Sequence, residues 1–161
     1  MQHLLEGAGV ADPAPHVAWL WAQQPAKNLW RRQLPEMLDL VRELATTGAI
    51  VAVLSNSEGR LAELFEEIGI ASAFAAIIDS GRVGIEKPDP RIFAHTLGVL
   101  GASGPGIHIG DSWAADIVGA RAAGWRAIWF GPGVHDVEGD DVVAARDAAE
   151  ARAAFVRFGV L

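Results

Sequence analysis

Two acidic residues, Asp111 and Asp116, follow a short apolar run at the start of an Ala-rich segment with helical spacing. Carboxylate oxygens suit Mg²⁺, which proteins typically bind through one or two carboxylates together with water. The same residues also suit the start of a helix, where Asp111 or Ser112 would cap it and Asp116 would interact favourably with the helix dipole. Both interpretations are compatible with the pair, which by itself indicates a metal site or a helix start.

Uncharged polar residues and one lysine add a second chemistry, anion binding. Ser55 and Asn56 follow another apolar run, and a hydroxyl and an amide can each hydrogen-bond an anionic oxygen. Asn56 or Ser57 could equally cap the helix predicted to follow. Lys87 precedes Pro88, which restricts the backbone, and its ammonium group can neutralise a phosphate or a neighbouring carboxylate. The residue types leave a phosphate-binding role and a capping role both open.

These residues are placed by an alternation of strands and helices. Short apolar runs rich in Val and Ile predict strands buried on both faces, and the amphipathic segments between them predict helices. This alternation predicts an α/β fold, a parallel sheet with helices on both faces, and ligands in such sheets bind beyond the carboxyl ends of the strands. The predicted strands are residues 49–55, 75–80 and 106–110, and residues 126–133 are predicted to form a fourth strand and a turn.

The two ends of the chain give weaker patterns. Residues 1–33 contain Trp19, Trp21 and Trp30 but no convincing strand, and they predict short helices interrupted by proline. Residues 140–158 have helical spacing with few fixed boundary residues.

Composition excludes several classes of protein. The chain has 161 residues, 51% of them hydrophobic, which suits one packed domain. A formal net charge of −7 argues against binding to nucleic acid or to an anionic membrane. The absence of cysteine excludes disulfides and thiolate metal sites. No apolar run approaches the ~20 residues of a membrane span, and no export signal begins the sequence, so we expect a cytoplasmic protein.

Three segments in order, VLSNSEGR, VGIEKPDPRIF and IHIGDSWAADIVGARAAGW, closely resemble the haloacid dehalogenase-like (HAD) hydrolase superfamily. The resemblance implies a Rossmann-like fold, Mg²⁺ as cofactor and transfer of a phosphoryl group to water through a covalent aspartate. By this resemblance Ser55 is the phosphate-binding hydroxyl, with Asn56 beside it, and Lys87 stabilises the phosphoaspartyl intermediate. Asp111 is then a Mg²⁺ ligand, and Asp116 supports the metal site. The GD-x-x-x-x-D spacing is similar to the phosphatase members and not to the metal-independent dehalogenases.

One motif of the family has no counterpart in these residues. Its nucleophile lies in an apolar strand ending in D-x-D-x-T, and no aspartate of this sequence occupies such a position. Residues 1–33 resemble the last part of a helical cap, so the chain resembles a family member that begins inside its cap, followed by an incomplete HAD core over 34–161. The absent strand belongs between those ending at Ser55 and Gly110. Either these two strands pair directly, another segment fills the gap, or a second polypeptide supplies the strand.

Three hypotheses follow for function. The first is a Mg²⁺-dependent phosphatase of small phosphate esters, N-terminally truncated and inactive alone because it lacks its nucleophile. The second is a catalytically inactive module that keeps affinity for Mg²⁺ or phosphate, and the third is a fragment completed by another chain. The expected partners are a small phosphorylated metabolite and either a complementing chain or a second copy, with no nucleic acid and no membrane.

Overall fold

The structure is a computed structural model that describes residues 2–27 and 31–161, and it divides into two compact units, residues 1–33 and 34–161. The described part of the first unit contains two helices, α1 (Gln2–Gly7) and α2 (Ala14–Lys27), and no strand. This agrees with the predicted helical character of the segment. Trp30 lies outside the described residues.

The second unit alternates strands and helices, as the sequence predicts. Its elements are α3 (Pro35–Thr46), β1 (Ala52–Ser55), α4 (Leu61–Glu67), β2 (Ala76–Asp79), α5 (Ser80–Val83), α6 (Pro90–Leu100), β3 (Ile107–Gly110), a π-helical turn (Trp113–Ile117), α7 (Val118–Ala122), β4 (Arg126–Phe130), β5 (Val142–Ala145) and α8 (Ala148–Arg157). The helix α3 begins at a proline, and glycines with positive φ follow α3 and α4, Gly48 at 86° and Gly69 at 75°. None of the helices in the described ranges is long and apolar enough to cross a membrane.

The strands form two parallel sheets. One sheet pairs β1 with β2, with Ser55 opposite Asp79, and the other has the order β3-β4-β5, with Gly110 opposite Trp129. Within residues 2–27 and 31–161, β1 and β3 are not paired and no strand lies between them. Of the three arrangements open at the level of sequence, direct pairing and filling by another described segment are therefore both absent.

Helices cover both faces of these sheets, which confirms the predicted Rossmann-like α/β class. On β4, Ala127 packs into a core with α6 and α7, whereas the next residue, Ile128, packs into a core with α3 and α8. Because successive side chains of a strand point to opposite faces, the two cores lie on opposite sides of β4. The sheets are thus sandwiched between two apolar layers.

The helical prediction for residues 140–158 is wrong at its start. The segment begins with β5, which pairs in parallel with β4, and Ala127 N–H donates to the Asp141 carbonyl at 2.8 Å. The helix α8 begins only after Asp147, whose side chain accepts from Glu150 N–H. The 4 residues of β5 are too few to distinguish helical from strand periodicity. Pairing with β4 makes this segment a strand.

Candidate active site

The predicted site residues lie at the carboxyl ends of β1 and β3, which belong to different sheets. Ser55 is the last residue of β1, and Asp111 follows the last residue of β3. No strand hydrogen bonds join these two ends in the part of the chain described. A side chain from a third segment, the loop between α5 and α6, connects the two ends.

That side chain is Lys87. Its ammonium group donates to the Leu54 carbonyl at 2.8 Å and to Asp116 Oδ1 at 2.5 Å, so one cation connects β1 with the turn after β3. Lys87 and Asp116 are both buried, with side chains 9% and 5% exposed. A buried ion pair that is also hydrogen-bonded is costly to break, because removal of one partner leaves an uncompensated charge.

Asp116 has both oxygens engaged. Oδ1 accepts from Lys87 and lies 2.9 Å from His108 Nε2, and Oδ2 accepts from Ser112 N–H at 2.9 Å. Burial by itself would raise the pKa of this carboxyl, but the hydrogen bonds from His108 and Lys87 and the lysine charge outweigh it and hold the pKa well below its usual range. Asp116 is therefore ionised and committed to neighbouring protein groups.

His108 is a buried partner of Asp116. Burial lowers the pKa of its imidazole, and the nearby Lys87 charge acts in the same direction, while Asp116 opposes both. The neutral ring then keeps its proton on Nε2 in order to donate to the carboxylate. Its edge-to-face contact with Phe93, centroid to centroid 5.4 Å, anchors it in the core. His108 is thus both a packed residue of β3 and a hydrogen-bond partner inside the site.

Gly110 explains how the Asp116 carboxylate fits at the end of β3. A Cβ on Gly110 would lie 2.3 Å from Asp116 Cγ, far inside contact distance. The side chain of Asp116 thus occupies the space that any larger residue at 110 would need. The glycine before Asp111 is a packing requirement of the buried carboxylate, which the motif alone does not reveal.

Asn56, predicted to bind substrate beside Ser55, is directed at the lysine loop. Its Nδ2 donates to the Lys87 carbonyl at 2.9 Å, and its Oδ1 accepts from Lys87 N–H at 2.8 Å. Both groups of the amide are therefore used to fix the backbone of the residue that supplies the cation. Neither Asn56 nor Ser57 caps α4, whose N-cap residue Arg60 has no side-chain cap.

Asp79 supplies the cap for α4 from the neighbouring strand, a role that the sequence did not predict. Its carboxylate accepts from the N–H groups of Gly59, Leu61 and Gly81, each at 3.0 Å. Burial would raise the pKa of Asp79, but these bonds, led by the one from Leu61, outweigh it and keep the pKa low. Gly81 allows the two loops to approach closely, since a Cβ there would lie 2.6 Å from the Ser57 carbonyl oxygen.

The residues present fit Mg²⁺ in part. Asp111 is exposed at the site, and the bond that fixes it, from Trp129 Nε1 at 3.1 Å, reaches its backbone carbonyl and leaves the carboxylate available. Both oxygens of Asp116 already accept hydrogen bonds from protein groups. Across the described ranges, no group of three or more His, Asp or Glu side chains is placed to hold a metal. Asp111 therefore suits one ligand position, and a complete site needs ligands from elsewhere.

The arrangement brings together Lys87, Asp116 and His108 directly, and Ser55 and Asp111 lie at the carboxyl ends of β1 and β3. A cation balanced by a buried carboxylate, with a hydroxyl and an exposed acid beside it, can receive a phosphate group. Lys87 offers charge, and Ser55 offers an uncharged donor. Among residues 31–161, no strand lies between β1 and β3.

Comparison with known proteins identifies the family. The family model of haloacid dehalogenase-like hydrolases matches residues 4–124. Haloacid dehalogenase-like hydrolase domain-containing protein 3 of Bos taurus is 34% identical over 131 residues, which cover 79% of this chain and 52% of the relative. A phosphoserine phosphatase of Thermus thermophilus is 37% identical over 102 residues, covering 62% of this chain and 41% of that protein.

The crystal structure of a HAD phosphatase from Thermococcus onnurineus matches with a TM-score of 0.68 at 25% identity, over 76% of this chain and 57% of that one. The chain spans about half the length of the curated relatives it matches, 52% and 41% for these two. A match of the family model to three quarters of the chain, in agreement with the fold and the ordered motifs, is sufficient for assignment. The chain belongs to the haloacid dehalogenase-like hydrolase family.

Proposed function

We propose that these residues form part of the active site of a Mg²⁺-dependent phosphatase of small phosphate esters. The observation that carries the proposal is the position of Lys87, whose buried ammonium group joins the ends of β1 and β3 and is balanced by Asp116. A phosphoryl group at this edge would meet a fixed positive charge. The name of the Thermus relative, a phosphoserine phosphatase, supports the reaction class.

Each residue has a defined part in the proposed site. Lys87 attracts and orients the phosphate, and the Ser55 hydroxyl donates a hydrogen bond to one of its oxygens. Asn56 positions Lys87 through its backbone, and His108 and Ser112 hold Asp116 in place. Asp111 would be the protein ligand of Mg²⁺ on this chain, and the bound ion would neutralise charge on the phosphate.

The chain is proposed to be inactive by itself. Its sequence contains no D-x-D motif, so nothing in residues 1–161 supplies the nucleophile that the resemblance implies. Loss of a covalent nucleophile typically lowers kcat by several orders of magnitude. Binding of phosphate by Lys87 and Ser55 does not require that nucleophile and would persist.

Activity assays on two forms of the protein test this proposal. A panel of phosphate monoesters that includes phosphoserine is assayed with Mg²⁺, first on the 161-residue chain and then on a longer form bearing a D-x-D-x-T strand at its N-terminus. We expect turnover only in the longer form, with kcat lost on Asp111→Asn and retained on Asp141→Asn, a matched exposed acid. Turnover by the short chain that survives Asp111→Asn would refute the proposed roles.

A second candidate function is a binding module without turnover. It is favoured by one observation, the intact Lys87–Asp116–His108 cluster in a chain that has no nucleophile. Titration calorimetry of the short chain with inorganic phosphate and with MgCl₂ tests it. Binding of phosphate that is lost in Lys87→Met, with no activity in the longer form, would favour the module over the enzyme.

A further inference from the structure

Three aromatic rings form a chain of contacts beside Asp111. The ring centroids of Trp113 and Trp129 are 4.9 Å apart, and those of Trp129 and His135 are 4.8 Å apart. Both pairs meet edge to face, with interplanar angles of 67° and 85°. Trp129 Nε1 donates to the Asp111 carbonyl at 3.1 Å, so the middle ring adjoins the acid proposed to bind Mg²⁺. We call Trp113, Trp129 and His135 the aromatic platform.

Three separate segments place the platform at the carboxyl ends of β3 and β4. Trp129 lies near the carboxyl end of β4, and Trp113 is the first residue of the π-helical turn after β3. His135 belongs to the loop after β4. Val134 N–H donates to the Gly131 carbonyl at 3.2 Å in this loop, and the buried Val134 side chain anchors it. Because ligands of parallel α/β sheets bind beyond the carboxyl ends of the strands, the platform lies where a ligand is expected.

The turn that carries Trp113 is held by the same groups as the buried carboxylate. Ser112 Oγ accepts from Ala115 N–H at 3.2 Å, and Ser112 N–H donates to Asp116 Oδ2 at 2.9 Å. Asp116 in turn accepts from Lys87. The backbone at Trp113 is therefore fixed relative to the lysine proposed to hold the phosphate. A site organised before its ligand arrives loses less conformational freedom on binding.

The platform is accessible to a ligand. Trp113 is 40% exposed, His135 is exposed as well, and Trp129 is partly buried. Single apolar side chains on a surface are ordinary, whereas adjoining ones with a polar rim mark binding sites. The exposed Asp111 and Ser112 supply such a rim. The Trp129 N–H already has its acceptor, so this residue offers a ligand its ring surface.

We propose that the aromatic platform binds the organic part of the substrate, and that this part is a planar aromatic ring. The phosphate would lie at Lys87 and Ser55, and the ring of the ester would pack on Trp113 and Trp129. The inference rests on the proposed function for the position of the phosphate. It adds a substrate class to that function, aryl in preference to alkyl phosphate esters.

The chemistry of the platform favours a ring over an alkyl group or a cation. An alkyl group would bury apolar area but would not gain the attraction between the edge of one aromatic ring and the face of another. A cation would gain most beside an unpaired acid. Asp136, next to His135, is paired with Arg146 at 2.7 Å, and Asp111 is assigned to Mg²⁺ in the proposed site. A planar aromatic ring therefore uses the platform most fully.

Binding measurements on the 161-residue chain test the proposal. Dissociation constants for phenyl phosphate and ethyl phosphate, which differ only in the organic group, are measured by NMR titration with MgCl₂ present. We expect phenyl phosphate to bind about tenfold more tightly than ethyl phosphate. We also expect it to shift the indole N–H signal of Trp129, which ethyl phosphate should leave in place.

Variants at Trp113 assign the preference to the platform. Trp113→Leu keeps an apolar side chain but removes the ring, and we expect the ratio of the two dissociation constants to fall to about one. Trp113→Phe keeps a ring and should retain a ratio of about threefold or more. Trp19→Leu makes the matched change at a tryptophan that is 61% exposed in the other unit, and it should keep the wild-type ratio.

A ligand without phosphate separates this inference from the proposed phosphatase. Failure of both esters to bind would count against the proposed function. Phenol should still shift the Trp129 indole signal of the wild type, and it should shift that signal less in Trp113→Leu. Absence of a phenol shift in the wild type would count against the platform itself.

Three further results would overturn the inference. One is equal affinity of the wild type for phenyl phosphate and ethyl phosphate. Another is a preference for phenyl phosphate that Trp113→Leu retains in full, which would place the ring elsewhere. The third is tighter binding of phosphocholine than of phenyl phosphate, weakened by Trp113→Leu, which would assign the platform to a cation.

Discussion

Asp79 and Asp116 are both buried acids near strand ends, yet Asp79 stabilises the loops of one sheet and Asp116 stabilises a connection between the two sheets. Asp79 accepts three backbone N–H groups from residues around β1 and β2, so it closes the loop of its own sheet. Asp116 accepts from the side chains of Lys87 and His108, and through Lys87 it reaches the other sheet. The Asp79 region is held by backbone N–H groups of its own sheet. The Asp116 region depends on the charge of Lys87, which lies 29 positions away in sequence.

The difference matters for function. A carboxylate satisfied by backbone amides is fixed wherever its loop is folded, and it has no charge partner to exchange. A carboxylate paired with a lysine can share that lysine with an incoming anion. The Asp79 region therefore supports the backbone around the site, and the Asp116 region is the part that would respond to a ligand.

The largest expected effect is on Asp116. Asp116→Ala leaves the Lys87 ammonium group buried without its counter-charge, and we expect the free energy of unfolding in urea to fall by about 3–5 kcal/mol. The double variant Lys87→Met with Asp116→Leu removes both charges and should recover at least half of that loss.

A surface pair gives the matched control for this change. Asp141→Asn breaks the exposed contact with Arg121 (Nε to Oδ2, 2.8 Å), for which we expect a loss of about 0–1 kcal/mol. If Asp116→Ala cost no more than Asp141→Asn, the buried pair would not connect the two sheets as described.

Asp79→Asn should have the next largest effect. The amide cannot accept from all three N–H groups, and its NH₂ meets a donor, so we expect a loss of about 2–3 kcal/mol. Hydrogen exchange should accelerate first at Gly59 and Leu61, whose N–H groups lose their acceptor. Equal acceleration at Ala127 in β4 would contradict a local role in the β1–β2 sheet.

Gly110→Ala probes the packing of Asp116 without removing any charge. The added methyl group overlaps the carboxylate, since the distance from Cβ to Asp116 Cγ would be 2.3 Å, and we expect a loss of about 1–3 kcal/mol. Gly98→Ala in α6 is the control, because a Cβ there meets nothing within 4 Å. It should be neutral or stabilise the protein by up to about 1 kcal/mol. Equal stability of the two variants in urea would place Asp116 away from Gly110.

Much of this fold could be predicted from local pattern. Apolar runs and the amphipathic segments between them predicted the order of strands and helices up to β4. Lys87 and Asp111 could be found because both follow the ends of predicted elements.

The rest depends on contacts between residues far apart in sequence. Asp79 caps a helix 18 positions before it, and Lys87 meets Asp116 across 29 positions. The strand β5 carries no periodicity of its own, and the separation of the sheets follows from which strands pair. A single sequence contains no local signal for any of these.

The pH dependence of stability gives the smallest effect and separates Asp79 from other acids. Because the pKa of Asp79 is lowered in the folded protein, its contribution is present above the unfolded value of ~3.9 and is lost as pH falls through the folded value. We expect urea midpoints of the wild type to fall steeply below about pH 4, and Asp79→Asn to flatten part of that slope, by about 1.4 kcal/mol per unit of pKa shift. Gly98→Ala, which changes no titratable group, should leave the slope unchanged. An unchanged slope in Asp79→Asn would mean that the backbone bonds to this carboxylate do not favour its ionised form, and the contrast with Asp116 would then rest on geometry alone.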